Sequence, residues 1–287
     1  MERMRINWSS GIPDVKPAIE RYQRYLGVKG LKPNTIRLYM QIVRIYLTTI
    51  GYDQPSDKDA IKFCDGIQDC LSRSTRNNYS AALGHYHTMI GKSMKFPFVK
   101  VNNILPYFFD EYDVQRIFNV CKNIKHLAML KILFFGCLRS SELANLNLQD
   151  YDSSGPTLRL RETKNGSDAI VYLVEEAASI LNMYLSLRPP MTIDGKQPLF
   201  FTDFSRRWTA GKMHRMFMYY KEKAGVQKKG SLHTFSRHTP ASLMTSRGCS
   251  IQIVQEVLRH RSIATTLRYS HVSEDVRRKA VNEFLCV

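Results

Sequence analysis

Val257-Leu-Arg-His-Arg-Ser-Ile-Ala-Thr-Thr-Leu-Arg-Tyr-Ser-His-Val272 decides how the rest of this sequence is read. It carries on from an apolar helical stretch, Ile251–Arg259, which His260 closes, and eight residues then separate His260 from Tyr269. One histidine or one tyrosine says little in a chain with 8 and 15 of them. Their neighbours say more. Just upstream stand His233, Arg237 and His238, and further back Arg139 ends the apolar run Ile132-Leu-Phe-Phe-Gly-Cys-Leu, with Glu142 three residues on and on the same helical face. Charged groups set into apolar sequence are informative, because burial costs several kcal/mol unless the group is paired or used.

Together these residue types suit attack on a phosphodiester. The diester is an anion whose charge grows in the pentavalent transition state, and two arginines can each give bidentate hydrogen bonds to its non-bridging oxygens. A tyrosine supplies an oxygen nucleophile that can form a reversible covalent link and so conserve the bond for rejoining. Lysine can protonate a departing oxygen, and histidines can manage the tyrosine proton and hold the phosphate. This chemistry requires no metal and no cofactor.

The charge balance agrees. The chain has 287 residues with 42 Lys+Arg against 25 Asp+Glu, a net charge of +17. Up to position 105 there are 16 basic and 8 acidic residues, and after it 26 and 17, so both parts are positive. That distribution excludes a single basic tail and fits two lobes enclosing a polyanion. Cysteines 64, 70, 121, 137, 249 and 286 show neither a CxxC pair nor regular spacing, as expected of reduced thiols in a cytoplasmic protein. No run of 18 apolar residues occurs, and none of the N-terminal residues forms a signal-peptide core, so a soluble protein with no membrane partner is expected.

Helical spacing dominates the first hundred residues. Val15, Ile19, Tyr22 and Leu26 mark one helix, and Pro33 opens a second with the stripe Ile36, Tyr39, Val43, Tyr46 and Leu47, stopped by Gly51. A third starts at Ser56 with Asp57 and Asp59 in its first turn, and a fourth runs from about Ser74 to Ile90, with Tyr79 and Tyr86 expected in the core. Residues 91–106 break the periodicity with Gly, Pro and Lys, which places a boundary there. The second part begins with helices near 110–121 and 125–136. A short β region comes next: Thr157–Arg161 and Ala169–Val174 alternate around the turn signal Lys164-Asn-Gly. Helices are expected again at 175–187, 209–224, 237–247, 250–259 and 262–269, with a last amphipathic stretch carrying Val276, Ala280, Val281 and Phe284.

The stretch 257–272 strongly resembles the second-histidine and nucleophile box of the tyrosine recombinase (phage integrase, Xer-like) family. Cys137-Leu-Arg-Ser-Ser-Glu-Leu-Ala-Asn-Leu is similar to its first arginine box, and Arg237-His-Thr-Pro-Ala to its second. Lys164 falls where the family places a β-hairpin lysine, and Lys32-Pro-Asn-Thr-Ile-Arg-Leu-Tyr resembles its N-terminal core-binding domain. The resemblance implies that Arg139 and Arg237 clamp the scissile phosphate, with Glu142 orienting Arg139. It makes Lys164 the leaving-group acid, His260 a phosphate- and proton-handling residue, and Tyr269 the nucleophile. One departure stands out. The family has its first histidine three residues before the second arginine, whereas His233 stands four before Arg237 and Thr234 takes the usual place; Pro240 also replaces a large apolar residue. His233 is nevertheless carried as a site residue. His238 reads as a packing or surface histidine.

The expected fold is mainly α with a small antiparallel β-sheet in the catalytic domain, a two-domain clamp on double-stranded DNA. Residues 1–95 form a helical, SAM-like core-binding domain, 96–106 a basic linker, and 107–287 the catalytic domain with a C-terminal helix at 273–285. Arg37, Arg44, Arg76, Lys95 and Lys100 are the expected DNA contacts. The resemblance implies site-specific recombination through a 3′-phosphotyrosyl intermediate and a Holliday junction, by a tetramer on DNA. A type IB topoisomerase shares the chemistry, a recombinase-fold protein that binds without cutting lacks only the catalysis, and a basic structural nucleic-acid-binding protein is the third alternative.

Overall fold

Four helices bury one stripe each to make the core of the first unit: α1 (Lys16–Val28), α2 (Pro33–Ile50), α3 (Asp57–Ile67) and α4 (Arg73–Met89). These come from a computed structural model that describes residues 14–101, 107–161, 168–269 and 281–282. Its chain divides into two compact units between Asn102 and Asn103. The stripe residues Ile19, Tyr22, Leu26, Val43, Tyr46, Leu47, Leu83 and Tyr86 are all buried, and burying each large apolar side chain contributes roughly 1.5–3 kcal/mol. The tyrosine hydroxyls stay satisfied. Tyr22 donates to the Ala82 carbonyl at 2.7 Å and Tyr86 to that of Asp53 at 2.8 Å. Such partners let an amphipathic ring sit in a core. Tyr79 is half-buried against this cluster.

Local signals set the helix ends. Pro33 occupies the first turn of α2, and Gly51 ends it with φ 90°, a left-handed conformation that glycine adopts without a Cβ clash. Ser56 caps α3 in a reciprocal box with Asp59. For α4 the capping residue is Ser72, whose hydroxyl accepts from the Thr75 N–H, so the helix starts at Arg73, one residue before the expected Ser74. The stretch expected as a linker, 96–106, is fastened to this unit over its described half. Phe96 is buried in the helical core, Asn77 on α4 pairs with both the N–H and the carbonyl of Val99, and Ser80 donates to the Pro97 carbonyl. Residues 102–106 lie outside the described residues.

In the second unit α5 (Glu111–Val120) and α6 (Ile124–Phe135) lead to a short α7 (Ser140–Asn145). A three-stranded antiparallel sheet comes after it, in the order β1 (Tyr151–Asp152), β2 (Thr157–Leu160) and β3 (Ala169–Tyr172). Leu158 pairs with Val171 and Leu160 with Ala169, so alternate residues turn inward. The two-residue β1 carried no sequence signal, because strands this short have no period to read. Then come α8 (Glu175–Leu187), α9 (Ala210–Lys223), α10 (Thr239–Ser246), α11 (Ile251–Leu258) and α12 (Ile263–Thr266). Central α6 is apolar on nearly all sides, as a helix enclosed by others must be. Around it Phe109, Phe118, Phe134, Phe217 and Phe235 pack edge-on or tilted, with centroids 5.0–6.4 Å apart.

Two features shape the ground beneath the arginines and the tyrosine. Gly136 ends α6 where a Cβ would stand 2.8 Å from the Ile132 carbonyl oxygen and 3.1 Å from Val171 Cγ1, so only glycine lets β3 approach this corner. A smaller cluster of Cys137, Ala241, Val254, Leu258 and Tyr269 forms a second buried floor in the same unit. Lys164 falls within 162–167, and the expected helix 273–285 falls almost wholly within 270–287; both lie outside the described residues, save that 281–282 are helical.

Candidate active site

Arg139 stands at the N-terminus of α7 in extended conformation, and Glu142, one turn on, reaches back to it twice. Glu142 Oε2 accepts from the Arg139 backbone N–H at 2.8 Å, and Oε1 accepts from the guanidinium at 2.6 Å. This is the same-face pairing that the three-residue spacing predicts, and it holds the Arg139 head against its own helix start.

Arg237 comes from a different construction. The helix expected over 237–247 begins earlier, at Leu232, and passes through a π turn at Thr234–His238 before continuing as α10. Within it the Thr239 N–H bonds to the Thr234 carbonyl, five residues back. A π turn takes up one residue more than an α turn. The four-residue spacing from His233 to Arg237 leads into this wide turn. Thr234 is buried and hydrogen-bonded to Ser231 rather than aimed at the site. Pro240 sits in the first turn of α10, where its missing N–H is tolerated.

The Arg237 side chain is only 1% exposed. Its guanidinium donates to the Cys137 carbonyl at 2.7 Å and to the Leu258 carbonyl, while Nε has no protein partner. Cys137 holds φ 47°, which turns its carbonyl inward at the α6–α7 corner. Desolvation, and then the charges of Arg139 and Arg259, bring the Arg237 guanidinium down to about 10, still cationic at neutral pH.

Arg259 was not singled out from the sequence. It caps α11 in left-handed conformation, φ 52° and ψ 49°, where glycine is the usual residue. Its guanidinium donates to the carbonyls of Cys137 at 2.7 Å and Val257 at 2.8 Å, and to Glu142 Oε2 at 3.1 Å. Cys137 O thus serves two arginines, and one buried carboxylate serves Arg139 and Arg259. Burial alone raises the Glu142 carboxyl, but Arg259 and Arg139 more than offset this and hold it below its ordinary value. Three guanidiniums, two paired with the one carboxylate and the third held by carbonyls, leave net positive charge in a largely buried place.

His260 is the next residue along. Its Nδ1 is paired with the Thr266 hydroxyl at 2.8 Å, and desolvation followed by Arg237 and Arg139 pulls the imidazole down to about 4. Tyr269 ends a 3₁₀ turn after α12 and is 5% exposed. Burial raises its hydroxyl pKa, opposed by Arg268 and Arg237. The Tyr269 hydroxyl lies 2.5 Å from Nδ1 of His238. His238 was expected to be a packing or surface histidine; instead it touches the tyrosine oxygen. The hint available in sequence was adjacency to Arg237, but its direction depends on the π turn. His233 is exposed, with its ring edge-on to His238 at 4.9 Å. Thus Arg139, Glu142, Arg237, His260 and Tyr269 are brought to one place with His233 at its rim, and Lys164 is outside the described residues.

Of the expected DNA contacts, Arg37 and Arg44 lie exposed on α2, seven residues apart and therefore on one face. Arg76 is half-buried on α4, and Lys95 and Lys100 are exposed in the segment after it.

The sequence profile of the phage integrase family matches residues 107–275. The chain belongs to the phage integrase family. As a family member it is a tyrosine site-specific recombinase, and the topoisomerase alternative is not favoured. It is 26% identical over 274 residues to tyrosine recombinase XerA of Saccharolobus solfataricus, covering 90% of this chain and 88% of that one. Against XerA of Pyrococcus horikoshii the identity is 28% over 272 residues, with 92% of each chain covered. The solved structure of the Tn1549 transposon integrase in complex with transposon right end DNA shares the integrase fold at a TM-score of 0.72, with 20% identity and coverage of 94% and 99%. Among the described residues no helix is long and apolar enough to cross a membrane.

Proposed function

We propose that this recombinase breaks and rejoins double-stranded DNA through a covalent bond between Tyr269 and the 3′-phosphate of the cut strand. The observation that carries the reading is the arginine cluster: Arg139 and Arg259 share a single carboxylate, Glu142, and Arg237 shares the Cys137 carbonyl with Arg259, beside a buried tyrosine. A phosphodiester anion between Arg139 and Arg237 would balance that charge and engage the Nε of Arg237. Glu142 keeps Arg139 aimed, Lys164 protonates the leaving 5′-oxygen, His260 holds the phosphate and handles protons, and His233 supports the same site from its rim. Strand exchange then passes through a Holliday junction, in a tetramer assembled on two DNA sites, with the helix at 273–285 docking onto a neighbouring protomer. The units 1–95 and 107–287 close on the duplex as a clamp. Phosphate contacts from Arg37, Arg44, Arg76, Lys95 and Lys100 add affinity without specifying sequence. The protein acts in the cytoplasm, on nucleoid DNA, with no cofactor.

Covalent trapping tests this. DNA fragments carrying suicide nicks, incubated with the protein in EDTA and run on denaturing gels, are expected to yield a protein–DNA adduct that disappears with Tyr269→Phe. An adduct that persists in the variant would remove Tyr269 from the chemistry.

A further inference from the structure

The nucleophile needs a base, and the geometry singles out a histidine to which the sequence assigned no role in the site. Three histidines surround the site. His260 has its Nδ1 committed to the Thr266 hydroxyl. His233 is exposed, with its ring edge-on to that of His238. His238 holds the hydrogen bond to the Tyr269 oxygen, at 2.5 Å. A general base is recognised first by such reach to the proton it takes. The contact is also well supported. His238 closes the π turn and Tyr269 is seated on the buried floor of Cys137, Ala241, Val254 and Leu258, so both partners are held by packing.

We propose that His238 accepts the hydroxyl hydrogen of Tyr269 at Nδ1 and takes that proton as the tyrosine attacks the phosphate. The inference rests on the proposed recombinase chemistry. In the forward step the Oη–H bond breaks to Nδ1, the Oη–P bond forms, and the P–O5′ bond breaks with the 5′-oxygen taking a proton from Lys164. On rejoining, the 5′-hydroxyl attacks, giving up its proton to Lys164, and the imidazolium of His238 returns its proton to the departing tyrosine oxygen. No electrons or atoms are left over.

The surroundings of His238 add a control on this step. The groups facing it are His233, Arg237, Arg268 and Tyr269, and desolvation followed by His233, Arg268 and Arg237 draws the imidazole down to about 4. In the free protein it is therefore neutral and able to accept. Arg268 and Arg237 oppose its becoming an imidazolium until an anion arrives. A phosphodiester bound at Arg237 cancels part of that field, so His238 becomes basic enough when the target phosphate is in place. An idle tyrosine is held, and a loaded site is armed.

The test uses the full chain and suicide-nicked DNA shown to give an adduct with the wild type, in two versions: an ordinary phosphodiester and a 5′-bridging phosphorothiolate at the cut. A thiolate leaves without needing a proton, so it rescues a missing acid and not a missing base. For His238→Asn, which can still accept a hydrogen bond, DNA binding is expected to stay within about twofold, while adduct formation slows by roughly 10²–10³ on both substrates. Lys164→Ala is expected to recover on the phosphorothiolate. An independent readout in the free protein is the histidine ¹⁵N spectrum: Nδ1 of His238 should be unprotonated near neutral pH, and its shift should move on Tyr269→Phe. Adduct formation by His238→Asn within about threefold of wild type, or its rescue by the phosphorothiolate, overturns the inference and leaves the recombinase reading standing. A wild type that forms no adduct on any DNA overturns both.

Discussion

Replacing Arg259 sets two sizeable effects against each other. Its backbone is left-handed, which costs a residue with a Cβ roughly 1–2 kcal/mol relative to glycine. Against that, its guanidinium, with the side chain 10% exposed, makes two short bonds to the Cys137 and Val257 carbonyls and an ion pair with Glu142. Hydrogen bonds from a charged donor contribute about 1.5–3 kcal/mol each. The lower end applies, because Cys137 O keeps Arg237 and Glu142 keeps Arg139 when Arg259 is lost. Two such bonds give about 3 kcal/mol, and relief of the backbone returns about 1. Arg259→Gly is therefore expected to destabilise the second unit by about 2 kcal/mol, and Arg259→Ala, which keeps the strain, by about 3. The order is the reverse of helix propensity. Urea unfolding followed by the emission of Trp208, in a Trp8→Phe background, reads this unit, since Trp208 lies in its core. With a slope near 2–3 kcal/mol per molar, the two variants should differ in midpoint by about 0.4 M. Alanine matching or exceeding glycine would refute the left-handed cap. Glycine matching wild type would refute any stabilisation by the guanidinium.

The charge knot and the first-unit core give two more expectations. Glu142 has a folded pKa below its ordinary value, so its stabilising effect is fully present above pH about 4.5 and is lost as pH falls through the lowered value. Acid unfolding should therefore cost wild type more than Glu142→Gln, whose stability deficit at neutral pH shrinks on acidification; a deficit constant with pH would contradict the pairing. In the first unit Leu83 is fully buried, and Leu83→Ala is expected to cost about 2–5 kcal/mol in denaturant unfolding of that unit. A loss under about 1 kcal/mol would show that α4 is not packed as described.

What the sequence settled by itself was the local and the chemical. Helical stripes, the Pro33 start, the Ser56 cap and the alternation of Thr157–Arg161 with Ala169–Val174 depend on neighbours within a few residues, and the elements follow them closely. The residue types Arg, Arg, His and Tyr named a phosphoryl-transfer chemistry, because few other tasks need them together. The tertiary structure decided which of these groups meet. Arg237 reaches a carbonyl 100 residues away, Arg259 one 122 residues away, and His238 a hydroxyl 31 residues on. No periodicity encodes such pairings. Spacing could not tell whether His-Thr-Phe-Ser-Arg winds as an α turn or a π turn, because the two differ only in whether the backbone hydrogen bond returns four residues or five. The turn leaves His238 against Tyr269.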